Sequence, residues 1–479
     1  MAKSEEGLTV KKEEDFTEWF TQLMIKAELI DYTDVSGCYV YRPLVYKMWE
    51  KIKEETDKEF KKIGIQNVYF PLFIPEKNFA KMSEHVKGFA PEVAWVTHAG
   101  QTKLNEKLAI RPTSETIMYP SYSKWIRSWR DLPLLLNQWN NVVRWEFNNP
   151  VPFFRSREFL WNEIHTVFAS EKEAIAHGEL VMKAYNRITE DLMALPGIYG
   201  KKTEKEKFAG GVFSKKVHTY LPNGKVLEGT CFHYDGQNFA KAYDIKFKNK
   251  DEKDEYAYQN THAISMRMLG GMLAVHSDDD GLVIPPKIAP NKVVIIPLLF
   301  KSKEKSVLSK AKEIEKELKE FEPILDDRAE LSAGRKFAEH ELKGVPIRIE
   351  IGPKELESDE VLVKSRIGKE KIKIKVKNLK KEVGNILEEI QETLYKNAQK
   401  LLEKNQKFTS EKKELIKFLK EKKIVRVPLS NSEEVEELLK SETSGAKVLF
   451  IDDKEKIKSE KCIISGKKAD YWVYVGKTY

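Results

Sequence analysis

Between Leu134 and Phe168 two strand-like runs enclose a loop, and residues of strong chemical character stand on both sides of it. Arg144-Trp145-Glu146 closes the first run; after eight further residues come Arg155, then Phe159 and Glu163 at intervals of four. Two antiparallel strands joined by the loop would hold these side chains towards one face of a sheet. Arg-x-Glu alone describes many surface ion pairs, and a lone Phe is usually core. The complete spacing is far more restrictive. A guanidinium fixed in this way can bridge a carboxylate and a phosphate bidentately, and an exposed aromatic face offers a stacking surface.

The length of 479 residues exceeds one core, so two to four domains are expected. Hydrophobic content of 41% with 33% charged residues excludes a disordered or fibrous chain. Apolar stretches such as Val293–Phe300 fall far short of the ~20 residues that cross a bilayer, and residues 1–16 lack the apolar centre of a secretory signal. Cys38, Cys231 and Cys462 are widely separated, giving neither a disulfide framework nor a CxxC pair. A reducing, cytoplasmic setting follows. The net charge of +8 permits a polyanionic partner without requiring one.

Apolar residues three and four apart predict an amphipathic helix over Leu44–Ile63, followed by a short strand at Val68–Ile74 in which Pro71 suggests a subunit boundary. Ser170 and Glu173 form a capping box opening a helix to about Leu195. Residues 212–247 read as strands with a turn at Pro222-Asn223-Gly224, and Arg267 falls on a helix over Met266–Val275. Strands then alternate with helices from Lys292, and a lysine-rich unit runs from about residue 405. The chain thus reads as a multidomain α/β (α+β) protein: an antiparallel-sheet domain over 1–287, an α/β domain over 288–404 and a small α+β domain over 405–479.

The Arg144–Glu163 spacing matches the second signature of class II aminoacyl-tRNA synthetases. Further motifs are Phe89-Ala-Pro-Glu-Val93, Arg111-Pro-Thr-Ser-Glu-Thr116, Asp131-Leu-Pro133, Arg157-Glu-Phe-Leu-Trp161, Glu204-Lys-Glu-Lys-Phe-Ala-Gly210, Gly236-Gln-Asn-Phe239 and Leu342-Lys-Gly-Val-Pro-Ile-Arg348. Together they resemble prolyl-tRNA synthetases of the archaeal and eukaryotic type over nearly the whole chain. The resemblance implies ATP with Mg2+, L-proline and tRNA(Pro) as substrates, and a homodimer built on the helix and Pro71 segment. It assigns catalytic charge stabilisation to Arg144 and Arg267. ATP would be held by Arg144, Glu146, Arg155, Phe159, Thr230, Gln237 and Arg267. Proline would be held by Thr113 and Glu115 at the imino group, with Arg144, Trp161, Glu163, His165, Phe208 and His233 around it. Thr113 equally suits a helix cap, and His165 a satisfied buried histidine. The third signature of the class corresponds to Gly281–Pro290, preceded by Arg267, and no large editing insertion fits between it and the second.

The sequence departs from the family at three places. Leu227 stands where the family has Gln, with one extra residue before Gly236; His262 and Ala263 replace Trp and Gly, expected on the pocket floor. These changes leave open a relative activating another small amino or imino acid, or an inactive tRNA-binding relative. Cys462 stands alone where relatives often hold zinc, so no zinc is expected, and Tyr479 would approach the active site. On the tRNA side, Lys354 follows a strand end, and Lys371, Lys373, Lys375 and Lys377 would put four ammonium groups on one strand face, suiting phosphate contact or a solubilised edge.

Overall fold

The computed structural model describes residues 7–79, 92–300 and 303–479; the first three residues of the Phe89–Val93 motif lie outside them. The expected hairpin forms: Leu134–Val143 pairs antiparallel with Glu158–Phe168, from Leu134 opposite Val167 to Val143 opposite Glu158. Tyr258–Ser265 lies on the other side of Glu158–Phe168, followed outward by Lys225–Gly236, Phe213–Tyr220 and Ile198–Lys201, all antiparallel.

One face of this sheet carries helices. Ser170 accepts from the Glu173 N–H at 3.3 Å and opens Glu171–Asn186, which continues as wider turns to Leu192. Asn260 Nδ2 donates to Ala174 O at 2.6 Å, tying strand to helix. Gly178 is required by contact: a Cβ there would lie 2.2 Å from the Phe232 ring. Gly178→Ala is therefore expected to cost about 1–3 kcal/mol through overpacking, read as a lower urea midpoint at unchanged slope.

Two local expectations are corrected. Val68–Ile74 is not one strand; Gln66–Asn67 and Phe73–Pro75 are strands separated around Pro71, whose missing N–H interrupts a ladder. Residues 212–247 are not all strand either. Asn238–Tyr243 is a helix that buries Phe239, Ala240, Ala242 and Tyr243, and it ends at Asp244 in the left-handed conformation.

A second, five-stranded sheet has the order Ile324–Leu325, Val293–Pro297, Ile347–Ile351, Glu360–Ser365, Lys371–Lys375, parallel in its first three strands and antiparallel beyond. Helices Glu304–Glu317, Ala333–Leu342 and Leu379–Lys404 accompany it. Three of the four expected lysines share the outer strand; Lys377 falls in the tight turn Val376–Asn378. Lys371 is engaged by Glu350 at 2.7 Å.

Residues 406–478 have their own core around Leu415, Val427, Leu439 and Val473. Their strands nonetheless extend the first sheet: Ile451 pairs with Lys201, and Lys477 and Thr478 run parallel to Lys225 and Val226. The result, among the described residues, is a single sheet of 11 strands.

Candidate active site

A cavity of about 430 Å³ opens on the sheet face opposite the Glu171–Asn186 helix, within the ~300–1,000 Å³ typical of ligand pockets. At one end Thr113, Glu115, Trp161, Phe208 and His233 line it. Thr113 does not cap the helix; its hydroxyl donates to the Glu115 carboxylate. Trp161 is oriented by donating Nε1–H to Asn140 Oδ1 at 2.7 Å. Phe208 lies on His233 with ring centres 4.6 Å apart, and Ser214 Oγ meets His233 Nδ1 at 2.7 Å. Burial lowers the His233 pKa to about 3, so this wall is uncharged.

Glu163 and His165 share the Trp161 face of their strand, but the Thr113–Tyr122 segment covers them, so they stand behind the cavity wall. Glu163 accepts from Ser114 N at 3.0 Å, Ser114 Oγ at 2.5 Å and Asn140 Nδ2 at 2.7 Å, and meets His165 Nε2 at 3.0 Å. Burial pushes its carboxyl up, yet these bonds and the His165 charge outweigh burial and hold it at about 2. For His165 burial acts downward, and the bond to Glu163 with the neighbouring carboxylates turns the shift upward. Tyr119 OH lies 3.1 Å from His165 Nδ1. With Glu163 saturated, Glu115 is the one of this pair of carboxylates that faces the cavity. Ligand atoms of Glu115, Glu163 and His165 lie within 4.8 Å of one another. Because Glu163 and His165 are engaged with each other and with Ser114 and Asn140 behind the wall, only Thr113 and Glu115 are offered to the cavity, a hydroxyl and a carboxylate that suit a substrate ammonium better than a metal ion.

The other end is cationic. Arg144 donates Nε–H to Pro112 O at 2.9 Å, and its guanidinium sits 5.1 Å from the Trp161 ring and 5.6 Å from Phe159. Arg267 enters from the Met266–His276 helix, whose first turn is capped by Ser265. Burial lowers the Arg267 pKa; Glu228 opposes this, and the charges of Arg144 and Arg155 add to it. Among the described residues no carboxylate comes within ion-pair distance of Arg144, Arg155 or Arg267. Uncompensated guanidinium groups in a partly dry cavity are costly, and an anionic ligand relieves that cost. Glu146 and Phe159 line this end, while Arg155 stands on the loop beside Phe147 at 5.7 Å.

Besides Glu163, His165 and Arg155, two more expected residues, Thr230 and Gln237, do not line the cavity. The 213–220 and 225–236 strands slip register between Lys216 and His218, and the latter strand slips again between Tyr234 and Gly236. After the first bulge, Gly229, Cys231 and His233 face the cavity, and Thr230 is turned away, fully buried. Gln237 precedes the Asn238–Tyr243 helix and donates to Tyr256 O at 2.7 Å. The second bulge absorbs the extra residue: Tyr234 faces Asn260 and Gly236 faces Gln259, leaving Asp235 unpaired on the ladder. The bulges also admit a residue that sequence reasoning missed. Glu228 lines the cavity and accepts from Lys202 Nζ and Lys216 Nζ, both at 2.7 Å. A carboxylate flanked by lysines two strands apart carries no local sequence signal.

Comparison with known proteins decides the family. The tRNA synthetase class II core domain (G, H, P, S and T) matches residues 95–276, an anticodon binding domain 292–386, and the prolyl-tRNA synthetase C-terminal domain 412–479. The chain is 43% identical over 489 residues to the cytoplasmic proline–tRNA ligase of Arabidopsis thaliana, covering 99% of this chain and 91% of that one. It is 41% identical over 480 residues to proline–tRNA ligase 2 of Bacillus cereus, covering 100% of both. The crystal structure of prolyl-tRNA synthetase from Cryptosporidium parvum, complexed with halofuginone and AMPPNP, superposes with a TM-score of 0.94 at 39% identity, covering 99% of this chain and 98% of that one. The chain belongs to the proline–tRNA ligase family.

For a proline–tRNA ligase, the three sequence departures now take different weights. Leu227 is fully buried in the core, and Glu228 takes the cavity-facing place beside it. His262 faces the helix side, stacked on Phe232 at 4.7 Å, and is no part of the pocket floor. Only Ala263 reaches the cavity. The substrate end of this proline–tRNA ligase is therefore altered by one small residue. Tyr479 stacks on Phe154 at 4.5 Å, and Phe154 is a cavity wall. Among the described residues, no helix is long and apolar enough to cross a membrane.

Proposed function

We propose that the chain joins L-proline to ATP, delivered as ATP·Mg2+, and then transfers the prolyl group to the terminal ribose of tRNA(Pro). The observation that carries this reading is the pairing of a buried, cavity-facing carboxylate, Glu115, with an unpaired guanidinium cluster at the opposite end of one cavity. Glu115 and Thr113 hold the imino nitrogen, which brings two donors and one charge. Trp161, Phe208 and neutral His233 confine the pyrrolidine ring.

A proline carboxylate oxygen attacks the α-phosphorus; the new O–P bond forms as the bond to pyrophosphate breaks. Arg144 bridges both reacting groups and stabilises the charge that develops on phosphorus. Arg155 and Arg267 take the terminal phosphates, Glu146 accepts the adenine amino group, and Phe159 stacks on the purine. Positioning and charge stabilisation suffice, with no general base. Glu163 and His165 act through the wall they support. Cys231 occupies the place first given to Thr230, and Glu228 lines the cavity beside Leu227.

Residues 1–287 form the catalytic domain, 288–404 the anticodon domain and 405–479 a C-terminal domain in which Cys462 gives zinc no ligand set. Lys354, in the first turn of Pro353–Ser358, is available to an unpaired base. The enzyme works in the cytoplasm as a homodimer that covers Tyr46, Tyr69 and Phe73, which are 40%, 70% and 47% exposed. Amino-acid-dependent ATP–pyrophosphate exchange across a panel of amino acids tests the reading. Exchange with L-proline and none with alanine or pipecolate-sized analogues at equal concentration is expected; exchange with another amino acid in place of proline overturns it.

A further inference from the structure

We propose that Glu436, on the C-terminal helix Glu433–Glu442, is a positioning residue for the amino-acid pocket, so that the C-terminal domain acts on proline binding. The inference rests on the proline-activating reading. Lys202–Phe208 sits between the catalytic core and the C-terminal domain. On its inner side, Lys202 reaches Glu228 at 2.7 Å with its side chain 1% exposed. The Phe208 N–H donates to Ser214 Oγ at 2.9 Å, and the same hydroxyl meets His233. Glu206, Lys207 and Phe208 line the cavity.

On its outer side, the segment is held by the C-terminal domain. Thr203 Oγ1 donates to Glu436 Oε2 at 3.1 Å, with Thr203 1% and Glu436 5% exposed. Lys205 pairs with Glu437 at 2.5 Å and Lys447 with Glu206 at 3.9 Å. The two flanking pairs are partly exposed and weak. The buried Thr203–Glu436 bond is different, because its loss strands a buried polar group. Thr203 O also accepts from Lys207 N at 3.0 Å, so a shift at Thr203 passes directly to the residues that place Phe208 over the pyrrolidine site.

The test is pyrophosphate exchange with the full-length chain. Glu436→Ala is expected to raise the KM for proline about tenfold while the KM for ATP stays within about twofold. Glu436→Gln, whose amide oxygen still accepts from Thr203, restores the wild-type KM. Amide exchange at residues 202–214 rises in Glu436→Ala and not in Glu436→Gln. Thr203→Val, nearly the same volume, reproduces the effect and keeps the test decisive if Glu436→Ala does not fold. An unchanged proline KM in Thr203→Val, or an equal rise for both substrates, overturns the proposal. Absence of wild-type exchange with proline would instead overturn the substrate assignment, and the amide-exchange comparison would still judge the clamp.

Discussion

Arg144→Ala is expected to lower kcat/KM for proline-dependent pyrophosphate exchange by about 10²–10³, with thermal stability nearly unchanged. The guanidinium stands where a carboxylate and a phosphate must meet, between the Trp161 and Phe159 rings. Its structural contacts are modest: one partly buried bond to Pro112 O and the faces of Phe159 and Trp161. Arg144→Lys keeps the charge but loses the bidentate fork and the ring contact, so it should recover at most about tenfold. Activity of Arg144→Ala within about fivefold of wild type would remove Arg144 from the reacting centre.

Glu163→Ala should have the largest effect on folding, about 3–5 kcal/mol in urea denaturation. The loss is large because Ser114 N–H, Ser114 Oγ, Asn140 and His165 all lose their shared acceptor and are left buried without it. The same carboxylate sets a pH dependence. Its folded pKa of about 2 lies below the usual 4.5, so the unfolded chain binds more protons between those values. The stabilisation is complete above about pH 4.5 and is lost as the pH falls towards 2, on the order of 3 kcal/mol. His165 contributes in the opposite sense: its raised pKa stabilises the fold below about 6.5, and that contribution fades as the pH rises through its folded value. Urea titrations across pH should show the acid slope in wild type and a shallower one in Glu163→Ala. Equal slopes would dissolve the pair as the cause.

What could be read from the residues was what regular periods encode. The Leu134–Phe168 hairpin pairs without a register slip, and Arg144, Phe159 and Trp161 come together at one cavity, as the spacing implies. Helix spacing put Arg267 at the start of Met266–His276. The failures at Leu227 and Thr230 share one origin, the two bulges around Lys225–Gly236. A bulge breaks the period of two, so counting from Gly236 or from Leu227 assigns faces wrongly. Thr230 was expected at the cavity where Cys231 stands, and Leu227 where Glu228 stands. His262 was expected on the floor, although Thr261 and Ala263 on either side of it line the cavity and it cannot share their face. Glu163 and His165 show a further limit: facing the right way does not expose a side chain when another segment, here Thr113–Tyr122, lies across it.

The strand Tyr471–Thr478 lies between Ile424–Leu429 and Lys447–Asp452, and its end runs beside Lys225–Val226. A ribosome making this chain therefore finishes the catalytic half long before it makes the strand that closes the sheet. Until then Phe154 lacks the ring of Tyr479, and the strand edges at Ile424–Leu429 and Lys447–Asp452 stay open. Products of interrupted translation inherit that open edge, which chaperones and proteases recognise. Messages cut short would then yield clearance substrates instead of half-built ligases able to consume ATP.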